Sequence, residues 1–281
     1  IAVPLVIEKI YKSKVKPILE KEGVRVLMKL PVLSQMVMNK IREELVNAFG
    51  GEFYQVIIGG AAFNKEVEAF FKKIGFPVTV GYGMTECAPI ITYDDWNVEK
   101  LYSCGKAAPN LEIRIDSSDP ANVPGEILVR GANVFLGYFK NDDATDSVFT
   151  DDGWFKTGDM GVIDEDGCLF IKGRTKCMIL GPSGQNIYPE EVETVINSQP
   201  YVVDSLVVED NGGLTALIYP DFAQGAKDGM NQDVFIKFME DTLPELNKEL
   251  PNYAKLKKIE IMSEDFERTP KKSIKRYLYQ R

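Results

Sequence analysis

The apolar and polar positions of the first hundred residues predict helices and strands in a definite order. Helical spacing of apolar residues over positions 5 to 22 and 32 to 49 predicts two amphipathic helices. A run rich in β-formers at 53 to 58, a helix that begins after Asn64 and a strand at 78 to 80 follow. A strand, a helix and a second strand in this order are typical of a parallel sheet.

Between residues 106 and 172 the pattern changes to short alternating stretches separated by turn sequences such as Asp166-Gly167. This pattern predicts an antiparallel sheet or a small barrel. The strands are expected at residues 112 to 116, 126 to 130, 160 to 164 and 169 to 172.

The remainder of the chain, from residue 177, has a mixed pattern again. Pro189 at a first helical position predicts a helix that reaches Asn197. Strands at 205 to 208 and 214 to 219 flank a glycine turn, and a helix is expected over 233 to 250.

These patterns predict α/β and α+β structure in two domains. Residues 1 to 173 form the first, with an α/β portion at 1 to 105 that contains the end of a parallel-sheet subdomain. Its second portion, 106 to 173, is expected to be β-barrel-like. Residues 174 to 281 form a small α+β domain, and the boundary is placed near Gly173–Lys176.

Composition and charge exclude several classes of function. The 281 residues carry a net charge of −9 and include no histidine. Ser-His-Asp and Cys-His catalysis and HExxH zinc sites are therefore excluded, and acid–base chemistry must use carboxylate, lysine, tyrosine or water. The acidic balance argues against broad nucleic-acid binding. No uncharged apolar run reaches the ~18 residues that a membrane span requires.

The cysteines and the first residues indicate the cellular location of the protein and whether the chain is part of a longer one. The four cysteines lie too far apart for a CxxC pair, which predicts reduced thiols and a cytoplasmic location. The opening stretch, Ile1 to Ile7, is too short for a signal peptide and lacks an initiator Met. We therefore expect the chain to be a piece of a longer protein.

The segment Gly81 to Glu86 directly follows the strand at 78 to 80, and α/β sheets bind ligands at such strand ends. Gly81 and Gly83 let a ligand approach the backbone, and Tyr82 offers a stacking face. Thr85 supplies a hydroxyl for a phosphate oxygen, and Glu86 an oxygen ligand for Mg²⁺. Glu86 replaces the third glycine of a dinucleotide fingerprint. A plain turn around a core tyrosine is the alternative.

Two further segments place a carboxylate and a guanidinium near strands. In Thr157-Gly158-Asp159 the carboxylate can accept two hydrogen bonds from a ribose diol. Arg174, within Ile171 to Lys176, can reach phosphate or ribose oxygens. The alternatives are a turn aspartate and a solvated strand end.

A glycine-rich loop and a basic tail complete the candidate chemistry. The loop, Gly181 to Glu190, leads into a helix and can present backbone amides to an anion or a thiol-bearing cofactor. It lacks the ending of a Walker loop. The tail, Thr269 to Arg276, is basic in an acidic chain, and a solvated terminus is its alternative.

In this order, four of these segments resemble the core motifs of the acyl-adenylate-forming superfamily, which includes acyl-CoA synthetases, luciferases and the adenylation domains of peptide synthetases. The segments are Tyr82 to Glu86, Gly153 to Asp159, Ile171 to Lys176 and Ser183 to Glu193. Residues 3 to 17 also resemble the segment upstream of these motifs in long-chain fatty acid CoA ligases. The resemblance covers nearly the whole chain but only about the second half of such an enzyme.

The resemblance implies a role for each matching residue. It places adenine beside Gly59, Gly60 and Ala61 and against Tyr82, which stands between Gly81 and Gly83. Thr85 then contacts the α-phosphate, Glu86 binds the Mg²⁺, and Asp159 and Arg174 bind the ribose. Lys176 is the hinge, and the pantetheine tunnel is lined in part by Ser183, Gly184, Gln185 and Asn186. It also implies that residues 1 to 173 end a large AMP-binding domain and that residues 174 to 281 are its small C-terminal lid.

The implied function is an acid–thiol ligase that converts a fatty acid to acyl-AMP with MgATP and passes the acyl group to CoA. The cofactors and partners are then ATP, Mg²⁺, CoA, a fatty acid and the N-terminal half of the same enzyme. Peripheral contact with a membrane stays open. The alternatives are a relative that uses a carrier protein or another acid, and a non-catalytic nucleotide-binding remnant.

Two departures from the family pattern bear on activity. The phosphate loop that ends in Pro-Lys-Gly does not occur in these residues, so we expect little or no ligase activity from this chain by itself. In the C-terminal lysine motif, Ser273 stands at the position of the catalytic lysine. Lys272 and Lys275 are the candidates to replace that lysine. Together with Thr85 and Glu86 they are the candidate catalytic residues.

Overall fold

The buried apolar side chains form separate cores in two compact units of the computed structural model, which describes residues 1–181, 184–269 and 273–281. The first unit comprises residues 1–157 and 161–171, and the second comprises residues 158–160 and 172–281. Each unit buries aliphatic and aromatic residues, among them Phe71 in the first and Phe235 in the second.

A series of helices opens the first unit. They are α1 (Pro4–Ile10), a π-helical turn (Tyr11–Val15), α2 (Lys16–Leu19), α3 (Glu22–Leu27) and α4 (Pro31–Ala48). The helix expected over 5 to 22 is therefore interrupted. Pro17 has no N–H to donate to residue 13, which accounts for the wide turn before it. Along this stretch Ile7, Tyr11 and Val15 are buried at a spacing of four residues.

The predicted parallel pair is present in the first unit. Strands β1 (Val56–Ile58) and β2 (Val78–Val80) pair in parallel, and α5 (Lys65–Lys73) connects them. The Asn64 side chain caps α5 by accepting a hydrogen bond from the N–H of Val67 at 3.1 Å. The α/β prediction for this portion is thus confirmed.

Two further sheets follow, together with one helix that the sequence pattern did not predict. The small sheet contains β3 (Tyr82–Gly83), β4 (Ile90–Tyr93) and β5 (Lys106–Ala107). The larger one has the order β6 (Leu111–Asp116), β7 (Gly125–Gly131), β8 (Phe155–Ile163), β9 (Leu169–Arg174). The helix is α6 (Asp142–Val148), capped by Asn141, which accepts from the N–H of Ala144.

Of the two forms expected for residues 106 to 173, the described residues show an open sheet and not a closed barrel. Within the described residues the four strands pair only with their neighbours in the order given, so the sheet stays open at β6 and β9. Closing a sheet requires the first strand to pair with the last. The alternating pattern predicts strands with one buried face, and it does not distinguish an open sheet from a closed one.

The second unit is built on a three-stranded sheet. Its strands are β12 (Val202–Asp210), β13 (Gly213–Pro220) and β14 (Leu256–Ile261), with β12 antiparallel and β14 parallel to β13. Two short strands, β10 (Ile179–Leu180) and β11 (Asn186–Ile187), form a hairpin before it. The helices are α7 (Pro189–Asn197), α8 (Phe222–Lys227), α9 (Gln232–Glu240) and α10 (Leu243–Glu249).

The single helix expected over 233 to 250 is two helices. Pro244 lies in the first turn of α10 and has no N–H for the carbonyl of Glu240, where α9 ends. Across the described ranges, no helix is both long and apolar enough to cross a membrane.

Candidate functional site

The predicted ligand loop begins at the end of β2. Its first residues form β3, which pairs antiparallel with β4. The N–H of Gly81 donates to the carbonyl oxygen of Ile58 at 2.8 Å, which extends the parallel pairing by one residue. Tyr82 is buried and pairs with Thr92. A Cβ on Gly83 would overlap the carbonyl oxygen of Pro89, so only glycine fits there.

The turn after β1 lies against the same loop. A Cβ on Gly59 would lie 3.1 Å from the carbonyl oxygen of Gly81. Gly60 has a φ of +88°, a left-handed conformation that favours glycine, and Ala61 is exposed. The structure therefore brings the Gly59–Ala61 turn and the Gly81–Glu86 loop together at the carboxyl ends of the parallel pair, as nucleotide sites on such sheets require.

Thr85 and Glu86 lie on a short 3₁₀ turn, Thr85–Cys87, at the end of the loop. Thr85 is exposed and Glu86 is half-buried. The hydroxyl of Tyr138 donates to Oε1 of Glu86 at 3.1 Å, and burial together with this contact raises the pKa of Tyr138. The backbone N–H of Phe135 donates to the carbonyl oxygen of Glu86 at 2.8 Å. Glu86 is thus held in place from both its backbone and its side chain.

Asn133 braces this loop, and the sequence analysis did not identify it. Its Nδ2 donates to the carbonyl oxygens of Cys87 at 2.7 Å and Ile90 at 3.0 Å, on both sides of the turn. Asn133 is 46 and 43 residues from its two partners, and Tyr138 is 52 residues from Glu86. The only sequence signal for them was the glycine-bounded stretch Gly131–Gly137 in which Asn133 lies.

Asp159 and Arg174 are brought together within the second unit. Nε of Arg174 lies 3.1 Å from Oδ1 of Asp159. The Asp159 side chain is 9% exposed, whereas that of Arg174 is 68% exposed. The guanidinium keeps the other donors of its planar fork on the solvent side, where they can meet a ligand oxygen.

The hinge and tunnel candidates lie at the start of the second unit. Lys176 is exposed on the 3₁₀ turn Thr175–Cys177. Gly184, Gln185 and Asn186 are exposed at the β10–β11 hairpin, where the N–H of Gly181 donates to the carbonyl oxygen of Gln185 at 2.8 Å. Ser183 and Lys272, the other candidates in these two motifs, lie outside the described residues.

The C-terminal motif is anchored to α7 by an ion pair that the sequence did not predict. Arg276 contacts the carboxylate of Glu193 and lies 3.9 Å from Glu190. The N–H of Val207 donates to Oε1 of Glu193 at 2.7 Å. Nζ of Lys275 donates to Oε2 of Glu267 at 3.0 Å, and this contact raises the pKa of Lys275.

The described side chains fit Mg²⁺ only if a nucleotide and water supply the rest of its ligands. In the part of the chain that the structure describes, no three His, Cys, Asp or Glu residues form a group that could hold a metal ion. Mg²⁺ commonly binds one or two carboxylates and completes its shell with substrate phosphates and water. Glu86 therefore fits as a carboxylate ligand to an ion that arrives with a nucleotide.

Two family models match the chain. The model of AMP-binding enzymes matches residues 6–139, and that of the AMP-binding enzyme C-terminal domain matches residues 178–281. The chain belongs to the acyl-adenylate-forming superfamily of AMP-binding enzymes. This confirms the family that the motifs predicted.

Relatives of this chain include ligases for different acids. A long-chain-fatty-acid–CoA ligase of Mycobacterium bovis is 36% identical over 188 residues, which is 67% of this chain and 30% of the ligase. A 2-succinylbenzoate–CoA ligase of Bacillus cytotoxicus is 39% identical over 183 residues, 61% of this chain and 37% of the ligase. The family is thus that of AMP-forming acyl- and aryl-CoA ligases.

Solved structures show the same AMP-binding fold. The o-succinylbenzoate CoA synthetase of Bacillus subtilis in complex with ATP and a magnesium ion matches with a TM-score of 0.67 and 28% identity, covering 85% of this chain and 49% of the synthetase. The same enzyme with an acyl-adenylate intermediate gives a TM-score of 0.67. The chain spans about a third of its curated relatives and about half of these structures.

Proposed function

We propose that this chain is the C-terminal part of an AMP-forming fatty acid–CoA ligase. The observation that carries the proposal is the Asp159–Arg174 ion pair at 3.1 Å, because it sets a buried carboxylate and an exposed guanidinium side by side in the two motifs that the superfamily uses for ribose. The adjacent turns at Gly59–Ala61 and Gly81–Glu86 support the same assignment for adenine and phosphate.

In the proposed first step, a carboxylate oxygen of the acid attacks the α-phosphorus of ATP, and pyrophosphate leaves. Thr85 donates a hydrogen bond to an α-phosphate oxygen, and Glu86, held by Tyr138, would be the carboxylate ligand of a magnesium ion that arrives with the nucleotide. When bound, the ion supplies positive charge for the negative charge that develops at phosphorus. Lys272 or Lys275 adds the second positive charge.

In the proposed second step, the thiol of CoA releases its proton to water, its sulfur attacks the acyl carbon, and AMP leaves with the electron pair of the broken acyl–oxygen bond. Asp159 and Arg174 keep the ribose in place during both steps. The exposed hairpin residues Gly184, Gln185 and Asn186, together with Ser183, line the approach of the pantetheine arm. The C-terminal unit turns about Lys176 between the two steps, since each step requires different groups at the same carbon.

A fatty acid is the preferred substrate because residues 3 to 17 resemble the long-chain ligases and the similarity to the M. bovis ligase extends over 67% of the chain. The similarity to a 2-succinylbenzoate ligase supports an aromatic acid as the second candidate. We further propose that the enzyme is cytoplasmic and that its N-terminal half supplies the phosphate loop, since no Pro-Lys-Gly occurs in the 281 residues.

The test compares the complete gene product that contains these residues with the 281-residue chain. Acid-dependent exchange of pyrophosphate into ATP is measured with palmitate, octanoate, benzoate and 2-succinylbenzoate. Thioester formation is then measured with CoA and with acyl carrier protein. We expect exchange with palmitate and transfer to CoA by the complete protein and little or no exchange by the chain alone.

Other outcomes separate the alternatives. Exchange with 2-succinylbenzoate but not with palmitate would reassign the substrate, and transfer to acyl carrier protein alone would reassign the acceptor. A complete protein that binds AMP but exchanges pyrophosphate with none of the acids would be the non-catalytic module. Fatty-acid-dependent exchange by the 281-residue chain alone would contradict the requirement for the N-terminal half.

A further inference from the structure

A buried carboxylate is bonded to the last residue of the strand that leads into the candidate nucleotide loop. Oε1 of Glu99 accepts a hydrogen bond from the backbone N–H of Val80, and the Glu99 side chain is 2% exposed. Val80 ends β2, and the loop Gly81–Glu86 begins at the next residue. Burial of a carboxylate costs free energy that an apolar side chain at this position would not cost.

The Glu99 carboxylate supplies a bond that a neighbouring strand usually supplies in a sheet. Among the described residues, β1 is the strand that pairs with β2, and on that side the N–H of Gly81 donates to the carbonyl oxygen of Ile58 at 2.8 Å. The N–H of Val80, one residue earlier, donates to Glu99 and not to a strand. Since a buried N–H needs a partner, the position of this strand end depends on the reach of the Glu99 side chain.

Glu99 is itself held in place by the helix and the strand of the parallel unit. It ends the segment 94–99, which follows β4 directly. Nζ of Lys72, on α5, donates to the carbonyl oxygen of Glu99 at 2.8 Å and lies 4.0 Å from its Oε2. The hydroxyl of Thr79, on β2, donates to the carbonyl oxygen of Asp94 at 2.8 Å. Both ends of the segment are therefore tied to the elements that carry the loop.

We infer that Glu99 is a positioning residue for nucleotide binding, because through the N–H of Val80 it fixes the strand end from which the loop Gly81–Glu86 departs. The inference rests on the proposed function, since it takes this loop as the site for adenine and phosphate. A loop that leaves its binding position for part of the time binds its ligand more weakly in the same proportion.

Two substitutions separate the reach of the side chain from its charge. Glu99→Gln keeps the length and an oxygen that accepts from Val80 but removes the charge, whereas Glu99→Asp keeps the charge and withdraws the carboxylate by one carbon. Burial raises the pKa of Glu99 to about 7, so the fold already accommodates a neutral side chain there near neutral pH. We expect Glu99→Gln to behave like the parent and Glu99→Asp to lose the bond to Val80.

The first measurement follows the loop itself, in the complete gene product without ligand. Amide hydrogen exchange in peptides that cover residues 80–86 should be about tenfold faster in Glu99→Asp than in the parent, and within about twofold of the parent in Glu99→Gln. The matched control is Glu68→Asp, at a second buried carboxylate of the same unit, which accepts from the N–H of Tyr102 and not from β2. This control should leave exchange in residues 80–86 at the parent rate.

The second measurement is the KM of the complete gene product for ATP, at saturating acid and CoA. Glu99→Asp should raise the KM for ATP about tenfold and leave the KM for CoA within about twofold of the parent. Glu99→Gln and Glu68→Asp should keep both values. A loss of folded protein alone would lower kcat and leave the KM for ATP unchanged, so a rise in this KM separates positioning from stability.

Several results would overturn the inference. Parent-like exchange and KM in Glu99→Asp would show that the loop does not depend on this bond, and equal effects of Glu99→Asp and Glu68→Asp would show a general loss of stability. Glu99→Gln as impaired as Glu99→Asp would show that charge matters and not reach. Faster exchange in Glu99→Asp without weaker ATP binding would remove the link to the nucleotide.

Failure of the proposed function gives a different pattern. If the complete protein forms an adenylate with none of the acids, calorimetric binding of ATP replaces the KM, and the same order of variants still supports the role of Glu99. A parent that binds no ATP contradicts the proposed function and this inference together.

Discussion

Arg174 reaches Asp159 through Nε, 3.1 Å from Oδ1, with the acid buried at 9% exposure and the guanidinium left at 68%. The two residues are fifteen positions apart and lie on neighbouring strands, β8 and β9, of one sheet. The contact orients a carboxylate that is already buried. A ligand hydroxyl that bonds to Asp159 would therefore meet an acceptor that needs little reorganisation.

Asp159→Asn should weaken nucleotide binding by the complete enzyme. A carboxylate can accept from two hydroxyls of a ribose, whereas the amide of asparagine accepts at one oxygen only. Hydrogen bonds to charged groups contribute about 1.5–3 kcal/mol, so we expect the KM for ATP to rise roughly 10- to 100-fold. Steady-state kinetics with saturating acid and CoA measure the change.

The matched control is Asp152→Asn, at the residue directly before the same motif. Asp152 is exposed and pairs with Arg114 at 3.1 Å, on the first unit. It should leave the KM for ATP within about twofold of the parent, since an exposed ion pair contributes little. Equal effects of the two substitutions would show that Asp159 has no special contact with the nucleotide.

A second prediction concerns the pH dependence of stability in the first unit. Glu68 is buried on α5, and burial raises its pKa from 4.5 to about 7; its Oε1 accepts from the N–H of Tyr102 at 2.5 Å. The folded protein therefore holds a proton that the unfolded chain releases above about pH 4.5. The resulting stability is complete below pH 4.5 and is lost as the pH rises to about 7.

Glu68→Gln should remove this pH-dependent loss of stability, because glutamine has no proton to release. At pH 8 we expect the free energy of unfolding of the first unit to rise by about 3 kcal/mol, and at pH 4.5 we expect no change. Urea unfolding followed by tryptophan fluorescence measures it, because Trp96 and Trp154 both belong to the first unit. Glu43→Gln, at an exposed position on α4, is the control. A variant less stable than the parent at pH 8 would contradict the prediction.

The elements that the sequence predicted well are those with a local signal. Asn64 caps α5 and Pro189 opens α7, and in both cases the residue that sets the helix start lies within four residues of the backbone it affects. Pro17 and Pro244 were equally visible, and giving them their full weight as helix breakers would have divided two of the expected helices correctly.

The features that the sequence did not predict depend on long-range contacts or on weak patterns. The residues of α6 include three aspartates and show no apolar period, so only the Asn141 cap marks the helix. Tyr138 meets Glu86 across 52 positions, and Arg276 meets Glu193 across 83. No pattern within a short window encodes such a pair. Motif resemblance identified Asp159 and Arg174 as site residues, but their mutual contact required the fold.

The pair between Arg276 and Glu193 predicts a stability effect confined to the second unit. Arg276→Ala would leave the Glu193 carboxylate, 11% exposed, without its counter-charge while Val207 still donates to it. Breaking such a pair costs about 3–5 kcal/mol when fully buried, so we expect a loss of about 3 kcal/mol here.

Two signals separate the units in this experiment. Far-ultraviolet circular dichroism should show an earlier transition in Arg276→Ala, whereas the tryptophan fluorescence of the first unit should keep the midpoint of the parent. Lys275→Ala is the control, because its partner Glu267 is 65% exposed and the pair should contribute less than about 1 kcal/mol. An Arg276→Ala protein as stable as Lys275→Ala would show that the buried pair contributes no more than the exposed one.

The last prediction decides which lysine of the C-terminal motif acts in adenylation. Lys275 is paired with Glu267 at 3.0 Å, and the bridge between Arg268 and Ile274 holds the two segments in register. Acting on the α-phosphate would require Lys275 to leave this carboxylate. Lys272→Ala and Lys275→Ala in the complete enzyme should give one large loss, about 100-fold or more, in the rate of adenylation.

Glu267→Gln distinguishes the two candidates further. If Lys275 acts, removing its competing carboxylate should raise the adenylation rate or leave it unchanged, and Lys275→Ala should abolish the response. Lys271→Ala is the charge-matched control and should stay near the parent rate. Pyrophosphate exchange with palmitate isolates the adenylation step from thioester formation. Parent-like exchange in both Lys272→Ala and Lys275→Ala would exclude both lysines and leave the charge at the α-phosphate to residues outside this motif.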